Sequence, residues 1–398
     1  MTSTIPPLPE RLRAIVDAGY PRFSDHEMAS RRARIKALLA EAQCNHLIFC
    51  GANRFGSGVQ WLTGWPVTAE AVGVFTPGEQ DALFVQYHNH VPLARTLADR
   101  ANVRWGELSC IRMAAAELER RGAQAGKVGY IGPLTADQHE VLAGRFNAIK
   151  NLNKSYVRLR MIKTLEELDW LRIGAHFSDL GMMALRDGVR PGLTERELGD
   201  LVERAYVAQG ALNVIHYFGV TPMRDPQVAV PAQFPSTRRV AAGDIVFAEI
   251  SAAFWDYPGQ VLRSFAVGDE PTSLYRDLHA AADAAFDAIA AVLRDGARPA
   301  QVIEAARVIE DAGFTTIDDL LHGYGGGYLP PILGSASRPA GPVPEEPFRA
   351  GMTVVIQPNA VTPDGKAGVQ TGEMVLVTKD GIERMHRMPR GFISLTRL

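Results

Sequence analysis

No stretch of the chain approaches the run of about 18 apolar residues that a membrane-spanning helix needs, so a helical membrane protein is not expected. An excess of one charge is missing too: 42 Lys and Arg stand against 44 Asp and Glu, a formal net charge of −2. Without a basic stripe, neither nucleic acid nor an anionic membrane surface is an expected partner. Cysteine is scarce, with three in 398 residues, and Cys44, Cys50 and Cys110 do not form the close pairs of a zinc or redox motif. Reduced, structural thiols and a cytoplasmic location follow as expectations. The opening Met1-Thr-Ser-Thr-Ile-Pro-Pro-Leu-Pro9 has no charged segment leading into an apolar one, so no secretory leader is expected either.

What is present is a globular composition, 46% apolar and 22% charged, in a chain long enough for two domains. The first 160 or so residues alternate helix and strand signals. Residues 26–43 carry apolar positions at helical spacing, and His46–Cys50 is a short apolar run closed by Gly51, as a buried strand would be. Val72–Phe75, Ala82–Val85 and Lys127–Ile131 are further strand candidates. This alternation predicts a sheet covered by helices. Beyond Arg160 the helical stretches lengthen. One runs from Lys163 to a stop at Asp187-Gly188, and the next opens at Thr194, which with Glu197 makes a capping-box pattern. Strands are expected at 244–252, 260–267, 353–358 and 374–378, and helices at 273–294 and 299–313.

One segment occurs twice. Leu185-Arg-Asp-Gly-Val-Arg-Pro191 returns as Leu293-Arg-Asp-Gly-Ala-Arg-Pro299, six identities in seven positions. Each copy closes one long helix and opens another, using the glycine and proline that punctuate helices. Two related halves, with a site in the crevice between their sheets, are the expectation.

Several phrases carry a family resemblance. Arg160-Met-Ile-Lys163, Phe247-Ala-Glu-Ile-Ser251, Arg263-Ser-Phe265, Phe348-Arg-Ala-Gly-Met-Thr353, Gly368-Val369 and Val375-Leu-Val-Thr378 occur in the order and spacing of pita-bread-fold hydrolases. That family includes methionine aminopeptidases, prolidases, aminopeptidase P, creatinase and ectoine hydrolase. Trp61-Leu-Thr-Gly64-Trp65 resembles an element of the creatinase and prolidase N-terminal domain. The resemblance implies an α/β (α+β) protein: a creatinase-type α/β domain over residues 1–158, then a pseudo-symmetric pita-bread catalytic domain over residues 159–398. It also implies a homodimer, in which Arg54 or Trp65 of one subunit reaches the other's pocket.

Metallopeptidases of this fold hold two divalent ions with two Asp, one His and two Glu. By the resemblance those positions fall here on Glu249, Gln260, His322, Gln357 and, last, on Gly372 with Glu373 beside it. Only Glu249 and His322 keep a side chain of ligand type, so no metal and no cofactor are expected. The family's proton-transfer histidines are replaced as well, by Leu329 and Ala232. The strand around Glu249 and the Gly323–Pro331 stretch, read as a loop, are most similar to the metal-free ectoine hydrolase branch and to creatinase.

That likeness implies a metal-independent hydrolase or lyase opening a C–N bond of a small amidine, guanidine or cyclic amide. Glu249 is then the nucleophile or base and His322 the acid, while Gln260, Tyr324, Tyr328, Gln357, Glu373, Tyr217 and Trp65 bind the small-molecule substrate. A non-catalytic descendant that binds a ligand or partner is the first alternative. An Xaa-Pro-type metallopeptidase is the second, conditional on metal being found. The plainer readings are that Glu249 pairs with an arginine, that His322 is a structural remnant, and that His88 and His90 are rim residues on one strand face.

Overall fold

The computed structural model describes residues 5–52 and 57–395. Arg54 lies outside them. The chain forms two compact units, one from Ala18 to Arg160 and the other from Met161 onward together with the residues up to Asp17. Among the described residues no helix is long and apolar enough to cross a membrane.

In the Ala18–Arg160 unit, His46–Ala52 lies inside a six-stranded sheet. It pairs antiparallel with Glu70–Phe75 and parallel with Val128–Ile131. Helices Asp25–Glu41, Cys110–Arg120 and Ala136–Phe146 accompany it. Ile48, Val72, Phe84, Ile111, Leu118 and Phe146 share one apolar core. The three cysteines are buried and unpaired, and burial first, then Glu70, pushes the Cys110 thiol up to about 12, so it carries little reactive thiolate. His88 and His90 do not lie on a strand; they belong to the short 3-10 turn His88–His90.

The other unit is built on a ten-stranded sheet. Its main path runs Tyr328–Leu333, Leu321–Tyr324, Thr353–Ile356, Gly372–Val377, Val261–Val267, Asp244–Phe254, Leu212–Pro222. The pairs along this path are antiparallel. Asp244–Phe254 is buried along nearly its whole length, as its almost unbroken apolar run requires. Helix Ser273–Val292 buries Tyr275, Leu278, Ala282, Phe286 and Ile289, the one-face spacing of an amphipathic helix. These residues join Ile245, Phe247, Val354 and Val375 in the main core.

Helix Leu165–Gly188 begins at a capping box. Thr164 Oγ1 accepts from Glu167 N at 3.2 Å, and Thr164 N donates to Glu167 Oε2 at 3.0 Å. The Thr194–Glu197 pattern forms the same box at the start of Glu195–Tyr206. The two copies of the repeated segment each follow or close a long helix, at Gly188 and after Val292. The helix after the second copy is broken into Pro299–Ala305 and Val308–Asp311. The Gly323–Pro331 stretch is a β-hairpin rather than a loop, with Gly325, Gly326 and Gly327 at φ 118°, 70° and 107° in its turn. Only glycine tolerates such a run.

The Leu165–Gly188 helix meets the sheet through a backbone crossing. A Cβ on Gly174 would stand 2.2 Å from Tyr257 O and 3.0 Å from Gly259 N. Next to the crossing, Ala252 N donates to the buried Ser178 Oγ at 2.9 Å. Gly174→Ala is therefore expected to lower stability by about 1–3 kcal/mol through overpacking, read as a shift of the urea midpoint. Gly144→Ala is the control, because nothing lies within 4 Å of its added methyl group. Equal midpoints for the two variants would refute the crossing as a tight contact.

Candidate active site

The strands of this second unit bring four side chains to one cavity of about 540 Å³, within the size range of small-ligand sites. Glu249 comes from the middle of Asp244–Phe254, with Tyr217 beside it on one neighbouring strand and Leu262 on the other. Gln260 stands just before Val261–Val267, where Met374 N donates to its carbonyl at 2.9 Å. His322 lies on Leu321–Tyr324 opposite Val355, and Gln357 follows Thr353–Ile356 directly.

Gln260 joins these groups. Its Nε2 donates to Glu249 Oε1 at 2.6 Å and to Gln357 Oε1 at 3.3 Å. The second amide acceptor, Gln260 Oε1, is buried without a hydrogen-bond partner, and so is His322 Nε2. His322 Nδ1 lies 3.1 Å from Gly323 O. A carbonyl only accepts, so Nδ1 carries the proton in the neutral ring and Nε2 presents a lone pair. The ring stacks on Tyr328 at 3.9 Å between centroids and 21° between planes. The Tyr328 hydroxyl in turn donates to Asp319.

Electrostatics push the two titratable groups apart. Part of the Glu249 surface opens on the cavity, yet desolvation dominates and, with Asp318 nearby, pushes its carboxyl up to about 8. Burial pushes the His322 imidazole down to about 4, against the favourable effects of the Gly323 carbonyl, Asp319 and Gln357. At neutral pH the carboxyl is mostly protonated and the imidazole is uncharged.

The remaining sequence candidates are placed differently. Tyr217 and Tyr328 line the cavity. Tyr324 stands behind it, buried, with its hydroxyl 2.7 Å from Ser251 Oγ. Trp65 belongs to the Ala18–Arg160 unit, where it is buried with its ring 6.4 Å from His90. Glu373 does not line the cavity. Its carboxylate is held by Arg263 Nη2 at 2.6 Å and Arg384 Nη2 at 3.0 Å, and both Glu373 and Arg263 have fully buried side chains. Burial works against this carboxylate, but Arg263 and then Arg384 hold it below the usual carboxylate range.

Sequence reasoning missed Gln233, Asp318, Asp319 and Arg338, all on the cavity wall. Asp318 accepts from Asn359 Nδ2 at 3.0 Å and from Gln370 Nε2 at 3.1 Å. The signal was an acidic pair just ahead of the apolar Leu320-Leu321 that leads into His322.

With this geometry in hand, the class is defined by comparison. The model of metallopeptidase family M24 matches residues 169–379, and the chain belongs to that family. The probable dipeptidase PepE of Mycobacterium tuberculosis is 29% identical over 250 residues, covering 59% of this chain and 61% of that protein. The Xaa-Pro dipeptidase of Pyrococcus furiosus is 25% identical over 236 residues, covering 58% of this chain and 65% of that one. The match thus spans less than two thirds of either relative.

Among solved structures, the Xaa-Pro dipeptidase from Bacillus anthracis superposes with a TM-score of 0.76 at 21% identity, covering 92% of this chain and all of that one. Dipeptidase PepE from Mycobacterium ulcerans gives 0.76 at 22%, covering 94% of this chain and 99% of that one. These likenesses establish the pita-bread fold.

The relatives correct the expected function. A metal-independent hydrolase or lyase of small amidines, guanidines or cyclic amides is not what they are named for; their names are dipeptidase and Xaa-Pro dipeptidase. None of these four proteins is named for ectoine or creatine.

The family name implies metal ions, and the side chains at the corresponding positions are poor ligands for them. Gln260 and Gln357 offer neutral amides, and Glu373 is committed to two guanidinium groups. Among the described residues no group of three or more His, Cys, Asp or Glu side chains is arranged to hold a metal ion. The donor set does not fit a pair of divalent cations, and no chemical step is derived through them.

Proposed function

We propose that the chain is a dipeptidase-type hydrolase whose cavity takes a short peptide, with Xaa-Pro dipeptides as the leading substrate class. The observation that carries this reading is the cavity itself. It lies within the part of the chain matched by the peptidase family and holds a desolvated carboxyl, Glu249, whose proton affinity suits transfer near neutral pH. The names of the relatives support the substrate class. The homodimer implied by the sequence resemblance belongs to the same reading.

In its ionised form Glu249 takes a proton from the attacking water, whose oxygen bonds to the amide carbonyl carbon. The proton then passes to the leaving nitrogen as the C–N bond breaks. Gln260 orients the carboxylate through the 2.6 Å hydrogen bond, and Tyr328 stacked on His322 closes one side of the pocket.

The test is a panel of Xaa-Pro and other dipeptides, assayed with and without added Mn²⁺, Zn²⁺ or Co²⁺ and read as amino acid release by mass spectrometry. Release by the wild type that falls at least tenfold in Glu249→Gln supports the reading. No release under any of these conditions overturns it.

A further inference from the structure

A second cavity, of about 280 Å³, lies in the same unit and shares no lining residue with the first. Three segments of the chain build it: residues 6–9 with Leu12, the helix Leu165–Gly188, and residues 383–385 with Arg387. The first segment is seated on the helix by Arg11, whose Nη2 donates to Asp169 Oδ1 at 2.8 Å. Pro6, Pro7 and Pro9, with Leu8 and Leu12, make an apolar wall. Proline carries no N–H and has a fixed φ, so this wall is stiff and offers few polar groups.

The rest of the lining is cationic, through Arg172, Arg384 and Arg387. The acids around it are already committed. Fully buried Asp179 accepts from His386 Nδ1 at 2.8 Å and from Arg387 N. Glu383 accepts from Arg172 Nη2 at 3.0 Å, and Arg384 donates to Glu373. Among the described residues the exposed guanidinium of Arg387 has neither an ion pair nor a hydrogen bond.

His176 is the second unmatched group. It is 8% exposed and lines the cavity, and no hydrogen bond reaches its ring from the described residues. Burial, opposed by Asp179 and reinforced by Arg13, holds the ring below the ordinary imidazole range. At neutral pH it is therefore uncharged and has one N–H to give. A free guanidinium facing water is ordinary, but a buried imidazole without a partner in the same cavity is not.

We propose that this cavity is a binding site for a small organic carboxylate with an apolar body, held by the Arg387 guanidinium and the His176 ring. A planar carboxylate takes two parallel N–H bonds from one guanidinium, and its body lies against the proline wall. A neutral ligand of the same shape leaves the Arg387 charge unmatched, and a cationic one meets three arginines. The site goes beyond the dipeptidase reading and does not rest on it.

The experiment is calorimetric titration of the full chain at pH 7 with 3-phenylpropanoate, 3-phenylpropanol, 3-phenylpropylammonium and acetate. The phenylpropanoate is expected to bind at least about tenfold more tightly than the alcohol or the ammonium, through its charge-assisted bonds. Acetate, which lacks the apolar body, is expected to be weaker by a similar factor. Arg387→Ala keeps the backbone N–H that Asp179 accepts and is expected to hold the thermal midpoint of the unliganded protein. It is expected to abolish the preference for the acid over the alcohol. Arg338→Ala, on the wall of the other cavity, is expected to leave phenylpropanoate binding unchanged.

Equal affinity for the acid and the alcohol overturns the site, as does phenylpropanoate binding that is indifferent to Arg387→Ala. An equal loss in Arg338→Ala places the ligand in the other cavity and also overturns it. So does failure of phenylpropanoate to bind.

Discussion

Glu373→Ala is expected to destabilise the protein by about 3–5 kcal/mol, the cost of stranding a buried charge. The stranded partner is Arg263, whose side chain has no exposure and which donates to Glu373 and to the carbonyls of Leu262, Gly372, Met388 and Pro389. The four carbonyls solvate the guanidinium but carry no formal charge, so Glu373 is its only fully buried counter-ion among the described ion pairs. Arg384, 43% exposed at its side chain, turns to water when Glu373 is removed and contributes little to the loss.

Glu373→Gln keeps two hydrogen-bonding atoms and loses the charge, so it should fall between wild type and alanine. The measurement is the thermal midpoint of each variant, followed by circular dichroism. An unchanged midpoint in Glu373→Ala would show that the clamp contributes nothing. A fall in dipeptide turnover without a fall in stability would place Glu373 in the chemistry instead.

The second large effect concerns Glu249 and pH. Its carboxyl ionises near 4.5 in the unfolded chain and near 8 in the folded one. Between those values the unfolded state has released the proton and the native state retains it. The unfolded state therefore binds fewer protons, and stability falls as pH rises, by about 1.4 kcal/mol per pH unit. Above about 8 both states are ionised and the loss levels off. Below 4.5 both are protonated and the effect vanishes.

Burial pushes the phenols of Tyr217, Tyr324 and Tyr328 up, so they stay neutral. His322 opposes the effect below about 6.5, where the unfolded imidazole is protonated and the native ring, pushed down to about 4, is not, so the Glu249 contribution is read against a variant that keeps His322. Asp318, Asp319 and Arg338 complete the charged surroundings. Glu249→Gln removes the titration. The stability of the variant relative to wild type should climb from pH 5 to 8 and then level off, as followed by urea midpoints across that range. Parallel curves for the two proteins would mean that Glu249 is solvated and ordinary, which would also remove the reason to give it a proton-transfer role.

Much of the frame was legible because local signals agreed with one another. The stop at Asp187-Gly188 and the Thr194–Glu197 box mark element boundaries, and the strands expected at 244–252 and 260–267 are found as Asp244–Phe254 and Val261–Val267. Leu212–Pro222 was not legible as a strand. Its first half is partly exposed on both faces, so neither alternation nor an apolar run marks it. Tyr328–Leu333 was hidden by its glycine-rich approach and its Pro330-Pro331 pair, which are ordinary signs of a loop. The helix expected over 299–313 breaks near Ala306, where the sequence shows neither glycine nor proline.

At the site, Glu249, Gln260, His322 and Gln357 come to one cavity, as the family spacing implied. The direction of Glu373 could not be read, because it depends on Arg263, 110 residues earlier in the chain. Asp318 was half legible: the acidic pair it forms with Asp319 ahead of Leu320-Leu321 stands in the sequence, but its partners Asn359 and Gln370 come from distant segments.

The repeated segment at Leu185 and Leu293 has a consequence for how this pocket changes over generations. Glu249 and Gln260 follow the first copy, His322 and Gln357 the second, and a single amide, Gln260 Nε2, spans the seam between them. Neither half can alter its share of the pocket privately. A lineage that exchanged Gln260 for another residue would inherit an unmatched group in each half at once, so substitutions here should be found in descendants as linked sets, each copy recording the history of the other.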